Sequence, residues 1–223
     1  MGEVKVIEVK ENVFADNIKV ADGIRGMLKE QKTLFINVMS GPGSGKTTTL
    51  SALINRMKSD YRIGEMDVDI ESSLDAQKVA DITGIPSIQI HNGGLCHIDA
   101  DMVSRALMEY DTTGLDILIM ENIGNLVCPA EFDTGAHLNM MLLSVPEGDD
   151  KPLKYPLMFS VCDLVLINKI DTVDYFDFDF EACEERIHKL NPKAPVLKIS
   201  AKTGEGLEEV IEWISNAYKG LQN

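Results

Sequence analysis

The sequence predicts an α/β fold with a mostly parallel central sheet and helices on both of its faces. Apolar runs with the length of strands alternate along the chain with amphipathic stretches that have helical spacing. Two of the runs, residues 116–120 (DILIM) and 164–168 (LVLIN), are almost continuously apolar. Strands that are buried on both faces have this composition, because helices cover the two sides of a parallel sheet.

The individual elements follow from these patterns, and they indicate one domain over residues 1–223. Apolar residues at mostly helical spacing predict a leading helix at about residues 12–30. Strands are predicted at 33–39, 62–68, 86–90, 115–120, 138–145, 163–168 and 195–200. Helices are predicted between most of them, at 46–59, 73–82, 99–110, 179–190 and 206–218.

Composition excludes several classes of protein. The formal net charge of −15 argues against nucleic acid or an anionic membrane as the main partner. No apolar run approaches the roughly 18 residues that a membrane-spanning helix needs, and charged residues interrupt the first twelve positions. The four cysteines lack the spacing of a disulfide framework. A cytoplasmic, reducing location is therefore expected.

A glycine-rich loop follows the first predicted strand. Residues 33–39 (TLFINVM) are followed by residues 40–48 (SGPGSGKTT) and then by a predicted helix. Such a turn directs backbone N–H groups toward a triphosphate, the lysine reaches its outer phosphates and the first threonine binds Mg²⁺. The sequence therefore predicts a P-loop NTPase, although Ser40 stands where the strict motif has glycine. The predicted nucleotide-binding residues here are Gly41, Gly43, Ser44, Gly45, Lys46, Thr47 and Thr48.

Two further motifs indicate that the base is guanine. Asn168, Lys169 and Asp171 form an N-K-x-D sequence at the end of a buried strand. The aspartate can accept hydrogen bonds from N1–H and the exocyclic amine of guanine, a donor pair that adenine lacks. After the next strand, residues 200–202 can supply a backbone N–H to the guanine oxygen; they are Ser200, Ala201 and Lys202.

A magnesium ion requires oxygen ligands in addition to Thr47. The predicted ligands are Asp69, after a strand, and Glu121, which opens the sequence ENIG (121–124), with Asp67 and Asp75 as alternatives to Asp69. Gly124 is expected to contact the γ-phosphate. Lys46, Asp69 and Glu121 are the predicted catalytic groups, but the sequence contains no evident base. Hydrolysis is therefore expected to be slow unless a partner or dimerisation completes the site.

Cysteine and histidine residues suggest a second metal. Cys96 and His97 lie in a glycine-rich loop before a helix, and Cys128 lies four residues after Gly124. Thiolate and imidazole groups bind Zn²⁺ or Ni²⁺, although buried cysteines without a metal role remain an alternative from these residues alone. Three ligands leave a tetrahedral shell incomplete, so water or a second subunit would complete it. The other two cysteines, Cys162 and Cys183, are expected in the core.

From about Thr33 to Trp213 the chain resembles the HypB family of GTPases that help to insert nickel into hydrogenase. The segments that carry the resemblance are SGPGSGKTT, CHIDA, ENIGNLVCPAEFD, EGDDKPLKYP and NKID. The resemblance implies GTP/GDP, Mg²⁺, and Ni²⁺ or Zn²⁺ as ligands, with metal held by Cys96, His97 and Cys128. It also implies a GTP-dependent homodimer, a HypA-type nickel-delivery partner and the hydrogenase large subunit as target.

Three alternatives remain at this stage. A urease-accessory nickel GTPase usually has Cys-Pro-His where this chain has Cys96-His97. A P-loop small-molecule kinase with structural cysteines would prefer ATP and would not need the N-K-x-D motif. A dimerisation switch with negligible turnover would bind GTP but hydrolyse very little of it.

Overall fold

The computed structural model describes residues 9–69 and 74–222, with side chains described for 15–69 and 76–222. The seven strands are β1 (Leu34–Ser40), β2 (Ile63–Asp69), β3 (Ser87–His91), β4 (Ile117–Gly124), β5 (Leu138–Ser144), β6 (Leu164–Asn168) and β7 (Val196–Lys198). The longer helices are α1 (Val9–Glu30), α2 (Lys46–Met57), α3 (Leu74–Thr83), α4 (Ala100–Glu109), α7 (Phe180–Leu190) and α8 (Leu207–Leu221). Two short helices, α5 (Lys151–Lys154) and α6 (Pro156–Ser160), lie between β5 and β6.

These elements confirm the predicted α/β fold. The strands form one sheet in the order β3-β2-β4-β1-β5-β6-β7, and every neighbouring pair is parallel. Strand β1 therefore lies at the centre, between β4 and β5. Ligands of open parallel sheets bind at the carboxyl ends of such central strands, where the order of connections reverses.

The leading helix and the seven strands lie where the sequence predicts them, with one informative difference. Strand β4 extends to Gly124, whereas the sequence predicts its end at residue 120. The extension is paired, because Gly124 lies in register with Ser40 of β1. Glu121 is therefore part of a central strand, and the loop that follows begins at Asn125.

Helices cover both faces of the sheet, as the sequence predicts. On one face, α2, α3 and α8 bury residues such as Leu53, Val79 and Val210 against alternate side chains of the strands. On the other face, α1 and α4 form a second cluster that includes Leu28 and Val103, while α6 and α7 form a third. Of the helices in the described ranges, none combines the length and apolar character that crossing a bilayer requires.

No helix of more than one turn connects β4 to β5. The chain instead forms a 3₁₀ turn at Cys128–Ala130 and then runs beside α1 to the start of β5. The carboxylate of Asp133 accepts hydrogen bonds from Arg25 of α1 at 2.6 and 2.9 Å. The carbonyl oxygen of Asp133 accepts another from the side chain of Asn17 at 2.9 Å. The far end of this connection is thus attached to a long helix.

Asp116 joins the beginnings of β2 and β4 to the last helix, α8. Its carboxylate accepts hydrogen bonds from the backbone and guanidinium of Arg62 at 2.8 to 3.1 Å and from the Tyr218 hydroxyl at 2.8 Å. The side-chain hydrogen bond from Arg62 is the main cause that lowers the pKa of Asp116 to about 2. A carboxylate with a lowered pKa stabilises the fold above its unfolded-state pKa, and this stabilisation is lost as the pH falls toward 2.

Asp116→Asn is therefore expected to lower the urea midpoint at pH 7, and to lower it much less near pH 2, where the native carboxylate becomes protonated. Urea unfolding of both proteins across this range measures the difference. Asp101→Asn, which removes an exposed pair with Arg105, serves as the control. A midpoint difference that stays constant from pH 7 to pH 2 would contradict the assigned role of Asp116.

Candidate nucleotide and metal site

The glycine-rich loop connects β1 to α2 at the carboxyl edge of the sheet. Gly43 and Gly45 have φ angles of 73° and 99°, which residues with a side chain rarely adopt. A Cβ atom at Gly45 would also lie 2.7 Å from the side-chain nitrogen of Asn168, so glycine is required there on two grounds. Helix α2 begins at Lys46, and its N-terminus faces the loop as a phosphate site requires.

Ser40, which departs from the strict motif, has a defined role in this loop. The ammonium group of Lys46 donates a hydrogen bond to the Ser40 hydroxyl at 2.9 Å, and this hydroxyl donates to the Gly41 carbonyl at 2.7 Å. Ser40 therefore holds the lysine against the loop. The sequence identified Ser40 only as a departure, because the partner of its hydroxyl depends on the folded position of Lys46.

Three buried carboxylates lie beside the phosphate loop. Glu65, Asp67 and Glu121 each offer an oxygen, and these oxygens lie within 4.8 Å of one another. Asp67 and Glu121 are in register on β2 and β4, and the Thr47 hydroxyl donates to Glu121 at 2.9 Å. Carboxylate and hydroxyl oxygens are ligands that Mg²⁺ prefers, so the donor set fits this ion.

The predicted ligand Asp69 lies further along β2, in register with His91 of β3. Asp67, Asp69, Glu121 and Gly124 line one cavity of about 310 Å³ together with Lys46. Asp67 lies directly beside Glu121, and Asp69 is absent from the compact carboxylate group. The geometry thus favours the alternative, Asp67, as the ligand next to Glu121, while the side chain of Asp75 lies outside the described residues.

The predicted guanine-reading residues form a second, smaller cavity next to the loop. This cavity of about 190 Å³ is lined by Gly45, Thr48, Asn168, Lys169, Asp171, Thr172, Ala201 and Lys202. The Asn168 side chain donates to the Ser44 carbonyl at 2.9 Å and accepts from the Ala201 N–H at 3.2 Å. Lys169 donates to the Gly43 carbonyl at 2.6 Å. The three predicted segments are therefore connected by direct hydrogen bonds.

Asp171 is positioned by the segment that follows β7. Its carboxylate accepts a hydrogen bond from the Ser200 hydroxyl at 2.6 Å, and the Lys202 ammonium lies 4.0 Å away. One oxygen is thus held by Ser200, and the side chain as a whole is 16% exposed. This arrangement fixes the direction of the carboxylate in the cavity where the sequence predicts the guanine base.

Cys96 and Cys128 come together although 32 residues separate them. Their sulfur atoms lie 2.9 Å apart, and this hydrogen bond is the main cause that raises the pKa of the Cys96 thiol. The Nδ1 atom of His97 lies 3.9 Å from the Cys96 sulfur. Two thiols and an imidazole suit Zn²⁺ or Ni²⁺, although two thiolates around one Zn²⁺ would sit about 3.8 Å apart and so would have to separate.

Two residues that sequence reasoning did not identify contact the Cys96-His97 segment. The ring of Phe132 stacks on the imidazole of His97, with centroids 3.9 Å apart and an angle of 8° between planes. The side chain of Asn125 donates to the Cys96 carbonyl at 3.2 Å. Both belong to the connection that carries Cys128, a segment whose sequence shows no periodicity that would place a side chain.

The other two cysteines are buried in the core, as predicted. Cys162 is 3% exposed and Cys183 is fully buried, in the cluster formed by α6 and α7. Burial raises the pKa of both thiols, that of Cys183 to about 12. All four cysteines are free, and only Cys96 and Cys128 reach the surface.

The parallel sheet, the glycine-rich loop before α2 and the carboxylates beside it define the class of P-loop nucleotide-binding proteins. Residues 35–198 match the family described as CobW/HypB/UreG, nucleotide-binding domain. The chain belongs to this family, in its HypB branch.

Individual relatives support that placement. The hydrogenase maturation factor HypB of Escherichia coli (strain K12) is 39% identical over 214 residues, which cover 96% of this chain and 73% of that protein. The hydrogenase/urease maturation factor HypB of Helicobacter hepaticus is 38% identical over 223 residues, which cover 98% of this chain and 90% of that protein. The crystal structure of HypB from Helicobacter pylori in complex with nickel is 36% identical, with a TM-score of 0.85 over 92% of this chain and 96% of that one.

Proposed function

We propose that this protein is a GTP-hydrolysing metallochaperone that binds Ni²⁺ or Zn²⁺ and assists nickel insertion during maturation of nickel–iron hydrogenase. One observation carries the proposal. At the end of β4, Gly124 lines the cavity of about 310 Å³ next to Lys46, which we call the phosphate cavity. Cys128 follows four residues later and contacts Cys96 at 2.9 Å. The names of the relatives support it, because they are hydrogenase maturation factors and one was solved with nickel.

The nucleotide would act through the segment between Gly124 and Cys128. A γ-phosphate that contacts the Gly124 N–H would shift this glycine, which packs closely against Pro42. The displacement would reach Cys128 within four residues and change its distance from Cys96. Because Zn²⁺ favours tetrahedral sites and Ni²⁺ also accepts square-planar ones, such a change would alter which ion is held.

The rate of GTP hydrolysis would depend on how the phosphates are positioned and on how their charge is neutralised. Lys46 and a Mg²⁺ ion held by Thr47, Glu121 and either Asp67 or Asp69 would neutralise charge on the phosphates. A group that neutralises the phosphates or binds Mg²⁺ would not also serve as the base for water. We therefore propose a slow intrinsic rate, together with a GTP-dependent homodimer that brings two sets of three metal ligands together. A HypA-type protein would deliver nickel, and the hydrogenase large subunit would receive it.

The coupling is tested by titrating Ni²⁺ and Zn²⁺ into the protein bound to Mg²⁺ and a non-hydrolysable GTP analogue, and separately bound to GDP. We expect the ratio of the two metal affinities to differ between these nucleotide states. Identical affinities and stoichiometries would refute the coupling. If ATP displaced a bound guanine nucleotide as strongly as GTP does, the result would favour a small-molecule kinase. If the protein dimerised with GTP but released no phosphate, the result would favour a non-enzymatic switch.

A urease target is a second candidate, because the Helicobacter hepaticus relative is named for both hydrogenase and urease maturation. Complementation of a host that lacks its own factor separates the two targets. Restored hydrogenase activity would support the first proposal. Restored urease activity without hydrogenase activity would replace it.

A further inference from the structure

We propose that Phe132 is a positioning residue that holds the His97 imidazole in the orientation required for metal binding. The inference rests on the proposed function, since it assigns a second side chain to the same metal site. The stack between the rings, with centroids 3.9 Å apart and planes 8° from parallel, leaves both nitrogen atoms at the ring edge. One of them, Nδ1, is 3.9 Å from the Cys96 sulfur. Zn–S and Zn–N bonds at a tetrahedral angle require about 3.5 Å, so the stacked ring needs little movement.

The position of Phe132 is itself fixed by its neighbour. Asp133 is bound to α1 through Arg25, at 2.6 and 2.9 Å, and through the side chain of Asn17. The same Asn17 accepts a hydrogen bond from the Ala100 N–H at 2.8 Å, at the start of the helix that follows His97. One buried asparagine thus holds the segments of Phe132 and His97 on the same helix, and Asn17 is only 9% exposed.

The metal site therefore consists of two parts that differ in how they are held. His97 and Phe132 belong to a part that is anchored on α1. Cys128 belongs to the part that follows Gly124 and the phosphate cavity. An imidazole fixed in place would give the Cys128 thiol a constant partner, so a small displacement of Cys128 would change the geometry of the site. Side chains that orient a metal-binding histidine commonly tune metal affinity in this way.

The test compares Ni²⁺ affinity in Phe132→Leu, Phe132→Tyr, His97→Ala and the double variant Phe132→Leu/His97→Ala. Loss of the stack in Phe132→Leu is expected to weaken Ni²⁺ binding by about three- to tenfold, while Phe132→Tyr retains a ring and the affinity. In the His97→Ala background the same leucine substitution is expected to change the affinity less than about twofold, because its effect acts through His97. Phe176→Leu, at an exposed position away from the site, is the matched control.

A metal-free measurement makes the outcome independent of the proposed function. The His97 ring protons of the apo protein should show an upfield NMR shift from the stacked ring, kept in Phe132→Tyr and lost in Phe132→Leu. Unchanged Ni²⁺ affinity in Phe132→Leu, or an equal loss with and without His97, would overturn the positioning role. If the parent protein binds no Ni²⁺, the metallochaperone proposal fails, and ring shifts that are unaffected by Phe132→Leu would then overturn the stack as well.

Discussion

Replacing Cys128 with alanine is expected to weaken Ni²⁺ and Zn²⁺ binding by more than about 100-fold, because loss of a ligand exceeds the 10- to 100-fold cost of losing an outer-shell partner. GTP binding should be retained, since Cys128 is not among the residues that line the phosphate or base cavities. The Cys96 thiol remains in this variant but loses its partner at 2.9 Å. A single thiol and one imidazole cannot retain a soft-ligand site of high affinity.

Metal competition against a chromogenic chelator and equilibrium binding of a fluorescent GTP analogue measure the two affinities. Cys162→Ala is the matched control, because Cys162 is buried in the core and its thiol donates to the Met158 carbonyl. Its metal affinity should equal that of the parent protein. Stoichiometric, tight metal binding in Cys128→Ala would show that the site lies elsewhere.

The predicted phosphate and base sites show how far sequence reasoning extends. Residues 40–48 and 168–171 follow buried strands, and the carboxyl ends of parallel strands meet at one edge of the sheet. Their proximity could therefore be predicted, and the hydrogen bonds from Asn168 and Lys169 to the glycine-rich loop are consistent with it. Motifs of this type can be interpreted from sequence because each directly follows a strand, and a parallel sheet brings the carboxyl ends of its strands together.

The cluster of three buried carboxylates could be predicted only in part. Strand alternation places Glu65, Asp67 and Asp69 on one face of β2, but it does not say which of them lies opposite Glu121. That choice depends on the register between β2 and β4, which pairs Asp67 with Glu121. Glu121 itself lies beyond the apolar run that predicts β4, because that run ends at residue 120 whereas the strand continues to Gly124.

Polar side chains within the sheet show a further limit. Asn37 interrupts an apolar strand, and in the structure it accepts from Asn122 and donates to Asn139, both at 2.9 Å. These amides, of which Asn37 and Asn122 are buried, satisfy one another across β4, β1 and β5, so Asn37 is compatible with a central strand. Phe132 and Asn17 are similar cases, because their partners lie far away in the sequence. Contacts of this kind follow from tertiary packing and leave no periodic pattern.

Asp171→Asn is expected to weaken GTP binding by about 10- to 150-fold, the cost of losing a hydrogen bond to a charged group. Guanine presents N1–H and an exocyclic amine to this side chain, and a neutral amide can satisfy only one of these donors. Xanthine has a carbonyl oxygen in place of the amine, to which the asparagine N–H₂ can donate. Xanthosine triphosphate should therefore bind this variant more tightly than it binds the parent protein.

The surroundings of Asp171 allow this exchange without loss of the fold. The Ser200 hydroxyl donates to one carboxylate oxygen at 2.6 Å, and an amide oxygen accepts the same hydrogen bond. Asp174→Asn, an exposed position on the same 3₁₀ helix, is the matched control and should leave both affinities unchanged. Competition between GTP and xanthosine triphosphate on the three proteins measures the change. If Asp171→Asn kept the parental preference for GTP, the second cavity would not be the base site, because no other carboxylate of the described residues lines it.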